Sequence, residues 1–142
     1  IMSNFITIAD YDASIHREIL DALIRQDEAI IEMVEDRAIS EMRGYLARRY
    51  DVDAIFFSSG KNRNDLVLML ALDIAIYHLF TIHNPQKLSS VRTARYERAI
   101  EYLKGVSKGN LSIEGAPLLS ESEQKERSSF LVKSNPKRIN HY

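Results

Sequence analysis

Apolar positions recur at helical spacing along most of this chain, and turn-forming residues divide them into four segments. In the first, Ile8, Tyr11, Ile15, Ile19, Leu20, Leu23 and Ile24 return every three or four positions, the period of a helix that buries one stripe. Thr7 with Asp10 three positions on marks a helix start, because a hydroxyl and an acid can satisfy unpaired first-turn amides. The spacing predicts one helix here, or two short ones broken near Ser14. Asp27, followed by Glu28, caps a second and longer segment that runs to about Tyr50. Its buried stripe is Ile31, Val34, Ala38, Met42, Tyr45 and Leu46, with Glu32, Glu35, Asp36, Arg43 and Arg48 mostly on the opposite side.

The period then breaks. Asp51–Asp65, DVDAIFFSSGKNRND, is rich in Asn, Asp, Ser and Gly and reads as a loop. Its Ile55-Phe56-Phe57 patch needs cover from the chain's own core or from a neighbour. Asn64 or Asp65 caps a third segment, Leu66 to His83, which is apolar on every face and so predicts a central helix enclosed by others. Asn84-Pro85 ends it, since proline disfavours helical geometry in the residue before it. Ser89 or Ser90 caps the fourth helix, whose face is Val91, Arg95, Ala99, Tyr102, Leu103 and Val106; Gly105 or Gly109 supplies the left-handed residue that closes it. So short a link places the third and fourth helices antiparallel and adjacent. Beyond Gly109 the chain is polar and lacks a sustained period, apart from Phe130, Leu131 and Val132, which predict one short strand. The expected fold is all-α. It is a small bundle of about four helices around a central apolar one, with a helical domain over 5–112 and an extended or partly disordered C-terminal tail over 113–142.

Composition narrows the chemistry. Nineteen Lys and Arg against 20 Asp and Glu leave a net charge of -1, which argues against a dedicated nucleic-acid binder. The absence of cysteine removes disulfides, thiolate metal sites and cysteine nucleophiles together. The opening IMSNFITIADYD has no basic region followed by a long apolar run, so no secretory signal is expected. Leu66–Ile82, interrupted by Asp73 and His78, reads as a core helix and not a membrane span.

Asp73 is the anomaly of the apolar helix. A carboxylate there is costly unless paired, and Arg48, Arg49, Arg95 or the Tyr77 hydroxyl are the available partners. That structural role is favoured over an acid, base or ligand in a pocket, and Asp73→Ala is expected to lower thermal stability or disturb assembly. His78 and His83 lie five residues apart and point about 140° away from each other on a helix, poor geometry for one zinc ion. Neither His16 nor His141 has a convincing partner. Arg92, Arg95, Arg98, Lys104 and Lys108 have the chemistry to touch phosphates, but Glu97 and Glu101 interleave with them as in an ordinary solvated, charge-paired face. Lys133, Lys137 and Arg138 form a second small basic cluster. No glycine-rich phosphate loop, G-x-S-x-G, HExxH or EF-hand loop occurs. No catalytic residue, metal ligand or cofactor site is assigned, and the chain is expected not to be an enzyme.

The ordered segments resemble the Mu-like head–tail joining (connector adaptor) proteins of tailed phages and prophages. The matching pieces are ITIADYD, then SEMRGYLARRYDV, then LALDIAIYHLF, and last RYERAIEYLKGVSKGNLSI, with FLVKSNPKRINHY similar to the extended ends of such proteins. Tyr45, Leu46, Arg49 and Tyr50 match the end of the family's long helix. Asp73 and Tyr77 match its central helix, and Arg95, Tyr96, Ala99, Leu103, Lys104 and Gly109 its last one. The sequence departs from the pattern in the Asp51–Asp65 loop, with Phe56 and Phe57, and in the NPQKLSS link. The resemblance implies a helical structural protein that assembles as a ring with copies of itself beneath the portal and supports tail-completion proteins. DNA would pass through without sequence-specific binding and no membrane would be involved. It implies a host-cytoplasmic life during assembly and a place in the virion neck afterwards. Tyr45, Arg49, Tyr50, Phe56, Phe57, Asp73, Tyr77, Arg95, Tyr96, Phe130 and Val132 are the candidate structural and interface positions. The competing readings are a small helical nucleic-acid-binding or regulatory protein, and a small enzyme using Asp73 and His78.

Overall fold

A computed structural model describes residues 5–14, 29–83 and 85–126. Among the described residues, α-helices run in the order α1 (Ile8–Ser14), α2 (Ala29–Leu46), α3 (Val52–Phe56), α4 (Asp65–His83) and α5 (Ser90–Ser107), with 3-10 turns at Gly60–Asn62 and Pro85–Lys87. Residues 121–126 are also helical. The all-α expectation holds: among the described residues the only β pairing is one isolated antiparallel bridge, Tyr50 with Leu118. The expected strand at Phe130 to Val132, the apolar positions Ile15 to Ile24 and the Asp27 cap lie outside the described residues.

The central helix is α4, which packs against α2, α5 and α1. Val67, Leu70, Ala71, Leu72, Ile74, Ala75, Ile76, Leu79 and Phe80 are buried along it, so burial covers most of its circumference. Asp65–Ile82 is long and apolar enough to cross a membrane, but half of that stretch is buried inside the protein, as in the core helix of a bundle. α2 contributes Ile31, Val34, Ala38, Ile39, Met42 and Leu46, and α5 contributes Ala99, Leu103 and Val106. Three positions depart from expectation: Glu35, Val91 and Arg95, the last of which is exposed although it was expected on the packed face of α5. Glu35 is buried, because it stands four residues from both Ile31 and Ile39 and shares their stripe. Val91 is 60% exposed, because the fully buried positions of α5 begin only at Ala99.

The caps decide where the helices start. Thr7 and Asp10 form half of a capping box: Asp10 Oδ2 accepts from the Thr7 amide at 2.8 Å and from Thr7 Oγ1 at 3.0 Å. Asn64 caps α4 by accepting from the Val67 amide at 3.1 Å, and Ser89 caps α5 by accepting from the Arg92 amide at 3.2 Å. α5 closes in a Schellman motif around Gly109, whose φ is +84°. The Asn110 amide donates to Gly105 O at 2.9 Å and the Gly109 amide to Val106 O at 3.0 Å. Gly105 has a different job: a Cβ there would meet Leu111 Cδ1 at 2.6 Å, so its bare backbone lets the exiting chain fold back across the helix.

The Asp51–Asp65 stretch is not a plain loop. Asp51 accepts from the Ala54 amide at 3.2 Å and starts α3, which puts Ile55 and Phe56 into the core. α2 accordingly stops at Leu46, short of Tyr50, and Tyr50 becomes a hub for the segment that follows α5. Its hydroxyl accepts from the Ile113 amide at 2.9 Å, the Asp51 amide donates to Pro117 O at 2.9 Å, and the Leu119 amide donates to Arg49 O at 2.9 Å. Tyr102 Oη donates to Ser112 O at 2.7 Å and Asn64 Nδ2 to Glu114 O at 2.8 Å. With Ile113 and Leu119 buried, residues 110–119 form a strap held against the body.

Candidate functional site

The side chains that combine exposure with constrained geometry are grouped at two places, one on each flank of α2. Arg43 and Glu41 lie two residues apart, about 160° around the helix by its repeat of 3.6 residues per turn. They therefore serve opposite flanks of the buried stripe.

On the Arg43 flank, Phe56 is buried and packs edge-on against Phe5, with ring centroids 5.1 Å apart. Phe57, the next residue, is 79% exposed. The Arg43 guanidinium lies 5.6 Å from the Phe56 centroid and 5.7 Å from that of Phe57, within cation–π range of both, and Nη1 donates to Asp53 Oδ1 at 2.8 Å. One cation thus joins an interior aromatic to an exterior one and restrains the latter. Of the patch Ile55-Phe56-Phe57, the first two are covered by the chain's own core and the third is left outside.

On the Glu41 flank, His78 Nε2 is 2.8 Å from Glu41 Oε1. Beside it Tyr77 and Tyr96 stack with centroids 4.0 Å apart and planes 11° from parallel, and His78 meets both rings edge-on. Burial, with the negative charge of Glu41, raises the Tyr96 hydroxyl pKa. Tyr45, also half-buried, contributes to the same environment. Tyr45, Tyr77 and Tyr96, predicted as separate positions on three helices, are brought together here.

Asp73 is half-buried, and its charge partners all come from α5. Burial pushes its pKa up, and the opposing fields of Arg95, Arg92 and Arg98 do not cancel that effect. Of the arginines expected beside it, Arg95 is there. Arg49 instead lies over the Tyr50 ring, its guanidinium 5.7 Å from the centroid. Tyr50 itself is interior and serves the strap. Phe130 and Val132 lie outside the described residues.

Two arrangements, one partly buried and one interior, escaped sequence reading. Arg63 ties the N-terminal segment to the turn before α4. It bonds Asp10 Oδ2 at 2.5 Å and Oδ1 at 3.2 Å, Phe5 O at 2.7 Å and Gly60 O at 2.9 Å. Burial would raise the Asp10 pKa, but the bonds from Arg63 and Thr7 and the Arg63 charge prevail and lower it. The second is Tyr11 with Glu35, joined at 2.7 Å in the interior. Burial pushes Glu35 up to about 7 against the Tyr11 hydrogen bond, with help from Asp36, Glu32 and Asp10. It also pushes the Tyr11 hydroxyl well above the usual phenol range. The Thr7–Asp10 spacing was a sequence signal for the first arrangement, and the places of Tyr11 and Glu35 on apolar stripes were signals for the second. Among the described residues no group of three or more His, Asp or Glu is placed to hold a metal ion.

The sequence model of the family described as "Bacteriophage Mu, Gp36" matches residues 5–132. No curated protein matches the chain.

Proposed function

We propose that this chain, which belongs to the bacteriophage Mu Gp36 family, is a non-catalytic connector adaptor of the phage head–tail junction. It is a Mu-like phage protein, and the family match over residues 5–132 is the observation that carries the reading. In this role it assembles as a ring beneath the portal, supports tail-completion proteins, and lets DNA pass without sequence-specific contact. It acts in the host cytoplasm during assembly and in the virion neck afterwards.

The geometry supports the reading in two respects. A ring is built from heterologous contacts, so each subunit needs two different surfaces facing different neighbours. The Arg43–Phe57 knob and the tyrosine–histidine–acid cluster differ in chemistry and stand on opposite flanks of α2. An exposed aromatic held by an arginine is also hot-spot chemistry for a protein contact. A net charge of -1 is compatible with a channel that does not grip DNA through counterion release.

The test is co-expression with the portal protein of the same phage, followed by negative-stain imaging. Rings stacked on the portal are expected. Failure to associate with the portal, with only dispersed subunits in the images, would overturn the reading.

A further inference from the structure

Periodicity assigns Val91 and Arg95 of α5 to a packed face, yet the fold leaves both exposed. With Arg98 they form a stripe at spacings of four and three residues, the repeat of one helix face. Arg92, Arg95 and Arg98 all act on Asp73 of α4, so three cations face one half-buried carboxylate. Glu97 and Glu101 alternate with the arginines in sequence but lie about 160° and about 120° around the helix from Arg95. Among the described residues neither Arg95 nor Arg98, both exposed, makes an ion pair. Met69, one turn before Asp73 on α4, is 51% exposed and adds apolar surface beside them. The stripe is an uncovered face with an excess of positive charge.

The chain carries the complementary chemistry beyond the strap. Ser120 starts a helical turn over residues 121–126: its hydroxyl accepts from the Glu123 amide at 3.3 Å and its carbonyl from the Gln124 amide at 3.0 Å. Gln124 Nε2 donates to Leu119 O at 2.9 Å and ties the turn to the buried Leu119. Glu121, Glu123 and Glu126 are exposed there beside one cation, Lys125, and among the described residues none of the three makes an ion pair. Glu123 and Glu126 stand three residues apart, as Arg95 and Arg98 do, so both pairs present their charges on one face with a rise of about 4.5 Å. Leu118, 58% exposed, precedes the turn and is the apolar counterpart of Met69 and Val91. Leu119 is bonded to Arg49, beyond the end of α2, whereas the stripe lies on the first half of α5.

We infer that the Arg95–Arg98 face of α5 receives the Glu123–Glu126 turn of a second copy of this chain. The inference rests on the ring reading and names one of its contacts. Donor and receiver are different surfaces, so the contact is heterologous and repeats from copy to copy, as a ring requires. The planar guanidinium fork suits a carboxylate from each glutamate. Because the charges are exposed, the contact gives the ring direction and register more than affinity.

Two charge-reversed proteins, each co-expressed with the portal protein, test this. One carries Arg95→Glu with Arg98→Glu, the other Glu123→Lys with Glu126→Lys. All four positions are exposed, so helical circular dichroism should match the wild type. Each protein alone opposes like charges and should lower the share of portals bearing a ring at least about tenfold. Expressed together, the two should restore rings, because every contact in an alternating ring again joins opposite charges. Should a doubly changed protein lose helicity, the single changes Arg98→Glu and Glu126→Lys carry the same test. Rings formed by the wild type and by each reversed protein alone would overturn the inference and leave the ring reading standing. Folded proteins that fail singly and do not rescue each other would overturn it too. Loss of rings in the arginine-reversed protein only would assign the stripe to a different acidic partner. A wild type that makes no ring on the portal would remove the ring reading, and this contact with it.

Discussion

The Tyr11 hydroxyl donates to Glu35 Oε2 at 2.7 Å across 24 residues of sequence, and Glu35 is only 6% exposed. The shift to about 7 has a definite consequence for stability. An acid whose pKa is raised in the folded state holds its proton there after the unfolded chain has released it. Stability from this group therefore falls as pH rises from about 4.5 to about 7, and the full cost, on the order of 3 kcal/mol, applies above that range. Glu35→Gln keeps an acceptor for Tyr11 and removes the charge. Thermal melts from pH 4 to 8 should show a flatter profile for the variant and a higher Tm than wild type at pH 8.

Asp10 carries the opposite sign. Its pKa is lowered, so its contribution is present above the unfolded value of 3.8 and is lost as pH falls through the folded one. Asp10→Ala removes a clasp whose two side chains are each 13% exposed and leaves Arg63 partly buried without its carboxylate. A loss of about 2–4 kcal/mol by urea denaturation is expected at pH 7, shrinking toward pH 3. A loss below about 0.5 kcal/mol, on the scale of ordinary surface changes, would show the clasp to be dispensable.

For Asp73 the surroundings bear on the sign of a charge-removing substitution. Sequence reasoning made it a stabilising partner for arginine, but its raised pKa means that burial costs the charged form more than Arg95, Arg92 and Arg98 return. Asp73→Asn should therefore leave the folding free energy within about 1 kcal/mol of wild type or raise it. Calorimetry at pH 7 checks this, and a large loss of stability would restore the simple pairing role.

Phe57 and the chain after Leu119 separate folding from assembly. Phe57→Ala should change stability by less than about 0.5 kcal/mol, since the ring is 79% exposed, while reducing ring formation on the portal. Ending the chain at Leu119 keeps the strap bonds at Tyr50, Pro117 and Arg49, so the body should melt as before. Mass photometry of that truncated protein should show weakened or absent oligomers. Identical size distributions with and without residues 120–142 would remove them from the assembly contact.

How far the sequence was legible follows from how local each cause is. The caps at Asn64 and Ser89, the apolar circumference of α4 and the closure at Gly109 depend on residues within a turn of one another, and periodicity exposes them. α3 was missed because five helical residues inside a Ser- and Asn-rich stretch are too few to show a period. Glu35 was placed outside by its chemistry, although its position four residues from Ile31 and Ile39 put it inside. Arg63 and Asp10 are 53 residues apart, and nothing in either neighbourhood marks them as a pair. The tyrosine cluster was legible residue by residue but not as a cluster, because three separate helices supply it.

The strap also sets a route for force. Its amide bonds with Arg49 and Asp51 and its bond to the Tyr50 hydroxyl anchor it just beyond the end of α2, while Tyr102 of α5 and Asn64 hold Ser112 and Glu114. Tension on the segment beyond Leu119 would load the bonds to Arg49 and Asp51 first, because they stand nearest that end, and only then the Ser112 bond to Tyr102 of α5. A load carried by a tethered end would thus meet the middle of the bundle before it met the last helix.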